Sequence, residues 1–232
     1  MNNSLEAKLL SASKLPSLIK MSIRSFLAKQ LGHPSGIFGK LLMRLLNIGN
    51  AKMNDVTFKQ LDLQSRDAVL EIGFGGGYLL EKIAASQILS FIAGIDPQID
   101  VLQLGKKKFK KQIEQKYIEL KQAGGDNLPY KDQTFNKICT VNTIYFWSDP
   151  KSVLAECHRV LKPQGKLVIC YNSSAFLEQT KLTKHGFKTY EPAELESLMH
   201  SGFKNINTII NDGGTNNGQF YCTVGLAKPQ LV

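Results

Sequence analysis

The stretch from residue 69 to residue 78, VLEIGFGGGY, narrows the fold more than any other part of the chain. Val69, Leu70 and Ile72 form an apolar run with the length of a core strand, and Gly73, Gly75, Gly76 and Gly77 then fill four of the next five positions. YLLEKIAAS follows with helical spacing. A strand that turns through glycines into a helix opens a sheet with helices on its faces, and ligands of such sheets sit at the carboxyl ends of the strands. Glycine loses more backbone freedom on ordering than any other residue, so four of them need a reason that burial cannot supply. Without Cβ atoms the turn reaches left-handed angles and lets a ligand touch the main chain. The free N–H groups at the start of the next helix attract an anion. A tight turn without a ligand would hardly require four glycines, and these read as a ligand-facing floor.

The alternation continues along the chain. DAVLEI precedes YLLEKIAAS, FIAGID precedes a helix through VLQLGKKKFKKQ, and YIELKQA and FNKICTVN are strand-like. DPKSVLAECHRVLK then leads into GKLVICYN, and EPAELESLMHSG is one more helix. Strand–helix alternation with near-continuous apolar strands predicts an α/β fold with a doubly wound, mostly parallel sheet. FKNINTIIN and GQFYCTVGLA, separated by the short loop DGGTNN, should pair antiparallel at the end of that sheet. The segment from Ser173 to Tyr190 is long, polar and aperiodic, as lids over small-molecule sites often are. Residues 1–60 read as an N-terminal helical cap of three helices, SLIKMSIRSFLAKQL, GKLLMRLLNIG and NDVTFKQLDL, the last capped by Asn54. Residues 61–232 are the core domain.

Charge and cysteine usage limit the partners. The net charge is +10; the first 52 residues hold eight Lys or Arg against one acid, Glu6, and KKKFKK at 106–111 adds a second block. This balance is either a solvated surface or a face for an anionic partner. No RNA-binding signature with interleaved aromatics and no helix-turn-helix pattern is present, which argues against nucleic acid. The basic amphipathic N-terminal helix suits peripheral membrane contact, although capping its own core is the commoner use. No apolar run has the roughly 20 residues that span a bilayer, and no secretory leader is evident. Cys139, Cys157, Cys170 and Cys222 are scattered without a CxxC pairing. Buried free thiols in a reducing cytoplasm fit better than disulfides or a zinc site.

The spacing of the turn rules out two common nucleotide fingerprints. In the dinucleotide pattern GxGxxG, the third glycine position counted from Gly73 is Tyr78, so that fingerprint fails; GxxxxGK[ST] is absent as well. What stands is E-x-G-x-G-x-G, formed by Glu71, Gly73, Gly75 and Gly77. Asp96 ends the second strand as GID, nineteen residues beyond Gly77, positioned to accept ribose hydroxyls. GGDNLPYKDQTF, VNTIYFWSDP and AECHRVLKPQGKLVI follow in order. Together, from about residue 67 to 172, these motifs resemble the class I S-adenosylmethionine-dependent methyltransferases of the small-molecule "type 11" group. The resemblance implies a Rossmann-like sheet of seven strands with an antiparallel last strand, and S-adenosyl-L-methionine as cofactor. It implies a cofactor set of Glu71, Gly73, Phe74, Gly75, Gly77, Asp96, Pro97, Gly125, Asp126, Asn127 and Asn142. Asp126 would face the adenine amino group, and Asn142 would lie beside the methionine end. Gln164 stands where the family has the first glycine of a pair.

Methyl transfer from a sulfonium needs no metal and no covalent enzyme intermediate, so none is expected. Its main requirement is alignment of donor and acceptor. If the acceptor must lose a proton, His33 in the HPSG turn and Tyr145 after the fourth strand are the candidate catalytic residues. Trp147 and Tyr171 are either acceptor contacts or core, and Asn50, Met53 and Asn54 stand where the cap would meet the cofactor. The expected activity is methylation of a small, apolar or lipid-like acceptor. The alternatives are an RNA or protein methyltransferase, or a non-catalytic cofactor binder recruited through its basic helices. Asn142-Thr143-Ile144 departs from the D/N-P-P-Y/F pattern of many enzymes that methylate nucleic-acid or protein amino groups. The expected location is cytoplasmic, with or without membrane association; the oligomeric state is not legible.

Overall fold

The computed structural model describes residues 50–86, 89–180, 182–185, 187–213 and 218–230. The two helices expected before residue 50 lie outside the described residues. The first described helix, α1 (Ala51–Leu61), starts earlier than expected. Its N-cap is Asn50 rather than Asn54, because Ala51, Lys52 and Met53 already have helical backbone and the Asn54 N–H donates to the Asn50 carbonyl at 2.9 Å. Met53, Asn54, Thr57 and Leu61 are the buried positions, at helical spacing, so this helix lays one face on the sheet.

β1 (Ala68–Ile72) is buried at every position, the pattern of a strand covered on both faces. It runs through the glycine turn into α2 (Tyr78–Ala85). β2 (Phe91–Asp96) is followed by α3 (Ile99–Lys108) and the one-turn helix α4 (Lys110–Glu114). The single helix expected through VLQLGKKKFKKQ is thus broken at Phe109, whose backbone leaves helical angles while its ring becomes buried. β3 (Ile118–Gln122), β4 (Phe135–Val141) and a 3-10 turn (Ile144–Phe146) follow. α5 (Pro150–Val160) has Pro150 in its first turn, and the Asp149 carboxylate caps it by accepting from the Lys151 N–H.

β5 (Leu161–Asn172) begins directly after α5, several residues before the expected GKLVICYN. The early start requires a register shift against β4 between Phe135 and Lys137, with Gln164 at φ +65°. The segment after β5 is largely structured rather than aperiodic. It holds α6 (Ser174–Gln179), capped by the Ser173 hydroxyl, and a 3-10 turn (Leu182–His185). Leu177, Phe187 and Tyr190 anchor it in the core. α7 (Pro192–Met199) leads to the antiparallel pair β6 (Phe203–Asp212) and β7 (Gln219–Ala227).

Among the described residues the strands form one seven-stranded sheet in the order β3-β2-β1-β4-β5-β7-β6. β1 to β5 pair parallel, and β7 joins β5 antiparallel, as expected. Alternate residues of β1 feed two cores. Leu70 and Ile72 pack with Val153, Leu154 and Val160 of α5; Val69 packs with Leu79, Leu80 and Ile83 of α2 and Met53 and Leu61 of α1. Each such fully buried aliphatic side chain contributes about 1.5–3 kcal/mol. The strand order reverses at β1, between β2 and β4, and the crevice of such a sheet opens beside the carboxyl ends at that point.

Candidate functional site

The turn after β1 is built by glycines at angles that other residues resist. Gly73, Gly75 and Gly77 have φ of +72°, +50° and +67°. A Cβ on Gly73 would also come within 2.5 Å of the Thr143 methyl, so the turn and the end of β4 touch through bare backbone. The Thr140 hydroxyl donates to the Ile72 carbonyl at 2.8 Å and is bonded to the Thr143 hydroxyl, fixing that approach. Phe74 turns its ring away from the turn surface into the core, against Gly94 of β2 and Gly105 of α3, where added Cβ atoms would meet it at 3.1 and 2.7 Å. Only its main chain remains on the site.

Two carboxylates stand behind the turn. Asp96 ends β2 and is 7% exposed; its oxygens accept from the N–H of Gly75 at 3.2 Å and of Gln98 at 3.0 Å. Burial raises its pKa, and these two bonds pull it back. Glu71 in β1 is 4% exposed, and its Oε2 has no hydrogen-bond partner. Burial pushes its pKa well above the usual carboxylate range and Asp96 pushes it further, against the pull of Lys108 and the Leu80 amide. A buried, partnerless carboxylate oxygen costs folding free energy unless a ligand completes it.

The loop after β3 supplies the next wall. Gly125 lies against Ile72 and Val153, where a Cβ would approach their methyls at 3.5 and 3.1 Å; Asp126 and Asn127 beyond it are exposed. Pro97, after Asp96, is exposed as well. Arg159 of α5 staples the stretch that follows. Its guanidinium donates to the carbonyls of Tyr130 (2.8 Å) and Leu128 (3.0 Å), to Asp132 (2.7 Å) and to both oxygens of Glu156 (2.7 and 2.8 Å). Glu156 in turn accepts from the Leu128 N–H at 2.7 Å; the Arg159 hydrogen bonds, helped by this one, hold its pKa down against its partial burial. The R of AECHRVLK therefore works as a brace for the Asp126 loop.

At the end of β4, Asn142 has φ +57° and gathers residues from distant segments. Its N–H donates to the Cys170 carbonyl, and its Nδ2 to Asn50 Oδ1 at 3.0 Å and Met53 Sδ at 3.3 Å. Its Oδ1 accepts from the Tyr145 hydroxyl at 2.8 Å and Asn172 Nδ2 at 3.2 Å. The Tyr145 hydroxyl also accepts from the Asn172 N–H, and burial raises its pKa well above that of a free phenol. Beside it, Phe146 is 46% exposed and packs edge-on to Phe187 at 4.8 Å, with Tyr145 at 5.7 Å from the same ring.

Of the residues expected at the site, Glu71, the glycines, Asp96, Gly125 to Asn127, Asn142 and Tyr145 meet at one edge of the sheet, and Asn50 and Met53 join them through Asn142. Asn54 is buried on the same helix. His33 lies outside the described residues. Trp147 is buried in the core, as is Tyr171, whose hydroxyl pairs with Thr223. His158 packs on Phe203 with its Nε2 at 3.1 Å from the Lys228 carbonyl. Asn172, Thr140, Thr143 and Arg159 were not among the expected site residues. Only Asn172 carried a usable signal, its place at the carboxyl end of a strand.

Residues 70–169 match the family model described as a methyltransferase domain. The chain is 29% identical over 120 residues to the uncharacterized methyltransferase YdaC of Bacillus subtilis (strain 168), covering 52% of this chain and 64% of that one. It is 34% identical over 134 residues to the demethylmenaquinone methyltransferase of Lactobacillus johnsonii, covering 57% and 54%. The chain thus spans less than two thirds of either relative. Its fold is shared with the methyltransferase solved in complex with the Trm112 activator of Haloferax volcanii, at a TM-score of 0.70 and 17% identity over 88% of this chain and 98% of that one.

Proposed function

With residues 70–169 matching a methyltransferase-domain family model, we propose that the chain is a class I S-adenosylmethionine-dependent methyltransferase that transfers a methyl group from that cofactor to a small apolar acceptor with a planar ring. The observation that carries the cofactor assignment is the partnerless Glu71 oxygen behind a turn of left-handed glycines. An ammonium and a carboxylate on one ligand match these two features. Asp96, with its oxygens held by backbone amides, would accept from ribose hydroxyls, the Asp126 loop would meet the adenine, and Asn142 would face the methionine end. When bound, the cofactor supplies a methyl group already activated as a sulfonium.

The chain's part is orientation. Alignment of two reactants contributes roughly 7–11 kcal/mol to a rate enhancement when it is close to ideal. Asn142 is fixed by four side chains from three segments, which gives that end of the site a single geometry. The Tyr145 hydroxyl, bonded to Asn142 and Asn172, serves in this reading to hold those residues rather than to take a proton. Apolar walls around a cation that loses charge in the transition state lower the barrier further. The acceptor would dock on the exposed Phe146 and its neighbour Phe187, and a ring acceptor agrees with the quinone named in one relative's description.

Incubation with methyl-labelled cofactor and a panel of demethylated quinones and phenols should give one labelled product, lost in Asp96→Ala. Affinity for S-adenosylhomocysteine without transfer to any member of the panel would overturn the acceptor assignment and favour a binding protein.

A further inference from the structure

The block KKKFKK is divided by the break in the helix at Phe109. Lys106, Lys107, Lys110 and Lys111 point to solvent, while Phe109 is buried. Lys108, the last residue of α3, turns back along the glycine turn. Its Nζ donates to the Gly76 carbonyl at 3.2 Å and the Gly77 carbonyl at 3.1 Å, and pairs with Glu81 of α2 at 2.9 Å. Phe109 supports the same turn from below, since a Cβ on Gly77 would come within 2.8 Å of its ring and 3.8 Å of Lys108 Cδ.

The consequence for the turn follows from peptide geometry. The C=O and N–H of a trans peptide point in opposite directions. With the Gly77 carbonyl held by Lys108 and by the Glu81 N–H, the Tyr78 N–H of the same peptide faces the other way, toward the site. The first amides of a helix have no partner within it, so this group is available to a ligand. Lys108 also lies close enough to Glu71 to oppose the negative charge that Asp96 adds there. Its ion pair with Glu81 is exposed on the acid side, 61%, and such pairs contribute little; the two carbonyl contacts are the specific ones.

We propose that Lys108 is a positioning residue for cofactor binding: it holds the Gly77 carbonyl so that the turn presents the Tyr78 amide, and its charge makes the turn receptive to the carboxylate of the cofactor's amino-acid tail. This rests on the cofactor reading above.

The test compares two thioethers. S-adenosylhomocysteine carries the amino-acid tail; 5′-methylthioadenosine has the same adenosine and sulfur without it. Dissociation constants are measured by titration calorimetry for the first and by displacement of the first for the second, in wild type, Lys108→Met and Lys108→Arg. Lys108→Met should weaken S-adenosylhomocysteine about ten-fold and leave methylthioadenosine unchanged, while Lys108→Arg, keeping the charge, should recover most of the loss. Equal loss for both ligands would reduce Lys108 to a fold support, and no loss for either would also overturn the proposal. Failure of the wild type to bind either thioether would remove the cofactor reading itself, and with it this one.

Discussion

Glu71 stands between Gly94 of β2 and Cys139 of β4, a carboxylate in the middle of a buried sheet. Nothing among the described residues completes its Oε2, and burial together with Asp96 raises its pKa. A raised folded-state pKa means that the native protein keeps a proton which the unfolded chain has released. Stability from this group is therefore present below the ordinary glutamate range and declines as pH rises toward the raised value. Glu71→Gln removes that decline. Thermal unfolding scanned from about pH 4.5 to 8 should show the variant gaining on wild type as pH rises, while its affinity for S-adenosylhomocysteine falls. A difference that does not change with pH would contradict this. The glycines, Glu71 and Asp96 were legible because each has a chemical type that its position explains. That Asn50 and Asn172 bond Asn142 was not, since they lie 92 and 30 residues away and only the folded sheet joins them. Lys108 was hidden for another reason: in a run of exposed lysines, composition cannot say which one bonds the glycine turn.

At the scale of elements, periodicity located nearly every strand and helix among the described residues, and the differences arise where one residue ends an element. Phe109 breaks the expected long helix because burying its ring beneath Gly77 outweighs one more turn of exposed lysines. α1 starts at Ala51 because the Asn50 carbonyl already accepts the first helical bond, from the Asn54 N–H. β5 starts early by placing Gln164 at φ +65°, where a side chain clashes with its own backbone. Left-handed angles cost a non-glycine residue roughly 1–2 kcal/mol. Gln164→Gly should therefore stabilise the protein by about 1 kcal/mol and raise the midpoint of thermal unfolding by about 2–4 °C. An unchanged or lower midpoint would mean that Gln164 makes a compensating contact. The polar stretch after Ser173 hid its structure because its buried residues, Leu177, Phe187 and Tyr190, follow no single period.

Across the whole molecule the sheet does one thing for function: it brings the ends of β1, β2, β4 and β5 and the loop after β3 to the same edge. The two cores on its faces keep those ends in register, and Arg159 braces the Asp126 loop from α5. No helix among the described residues is long and apolar enough to cross a membrane. The fold and the candidate edge were legible because each motif falls at the carboxyl end of its own strand; the proposed acceptor surface was not, because Phe146 and Phe187 come from a turn and a loop with no shared pattern. The most direct measurement is a crystal structure with S-adenosylhomocysteine. The account predicts the amino-acid tail on the Gly73–Gly77 turn with its ammonium toward Glu71, and the ribose hydroxyls on Asp96. A ligand seated elsewhere, with Glu71 and the turn unchanged, would contradict it.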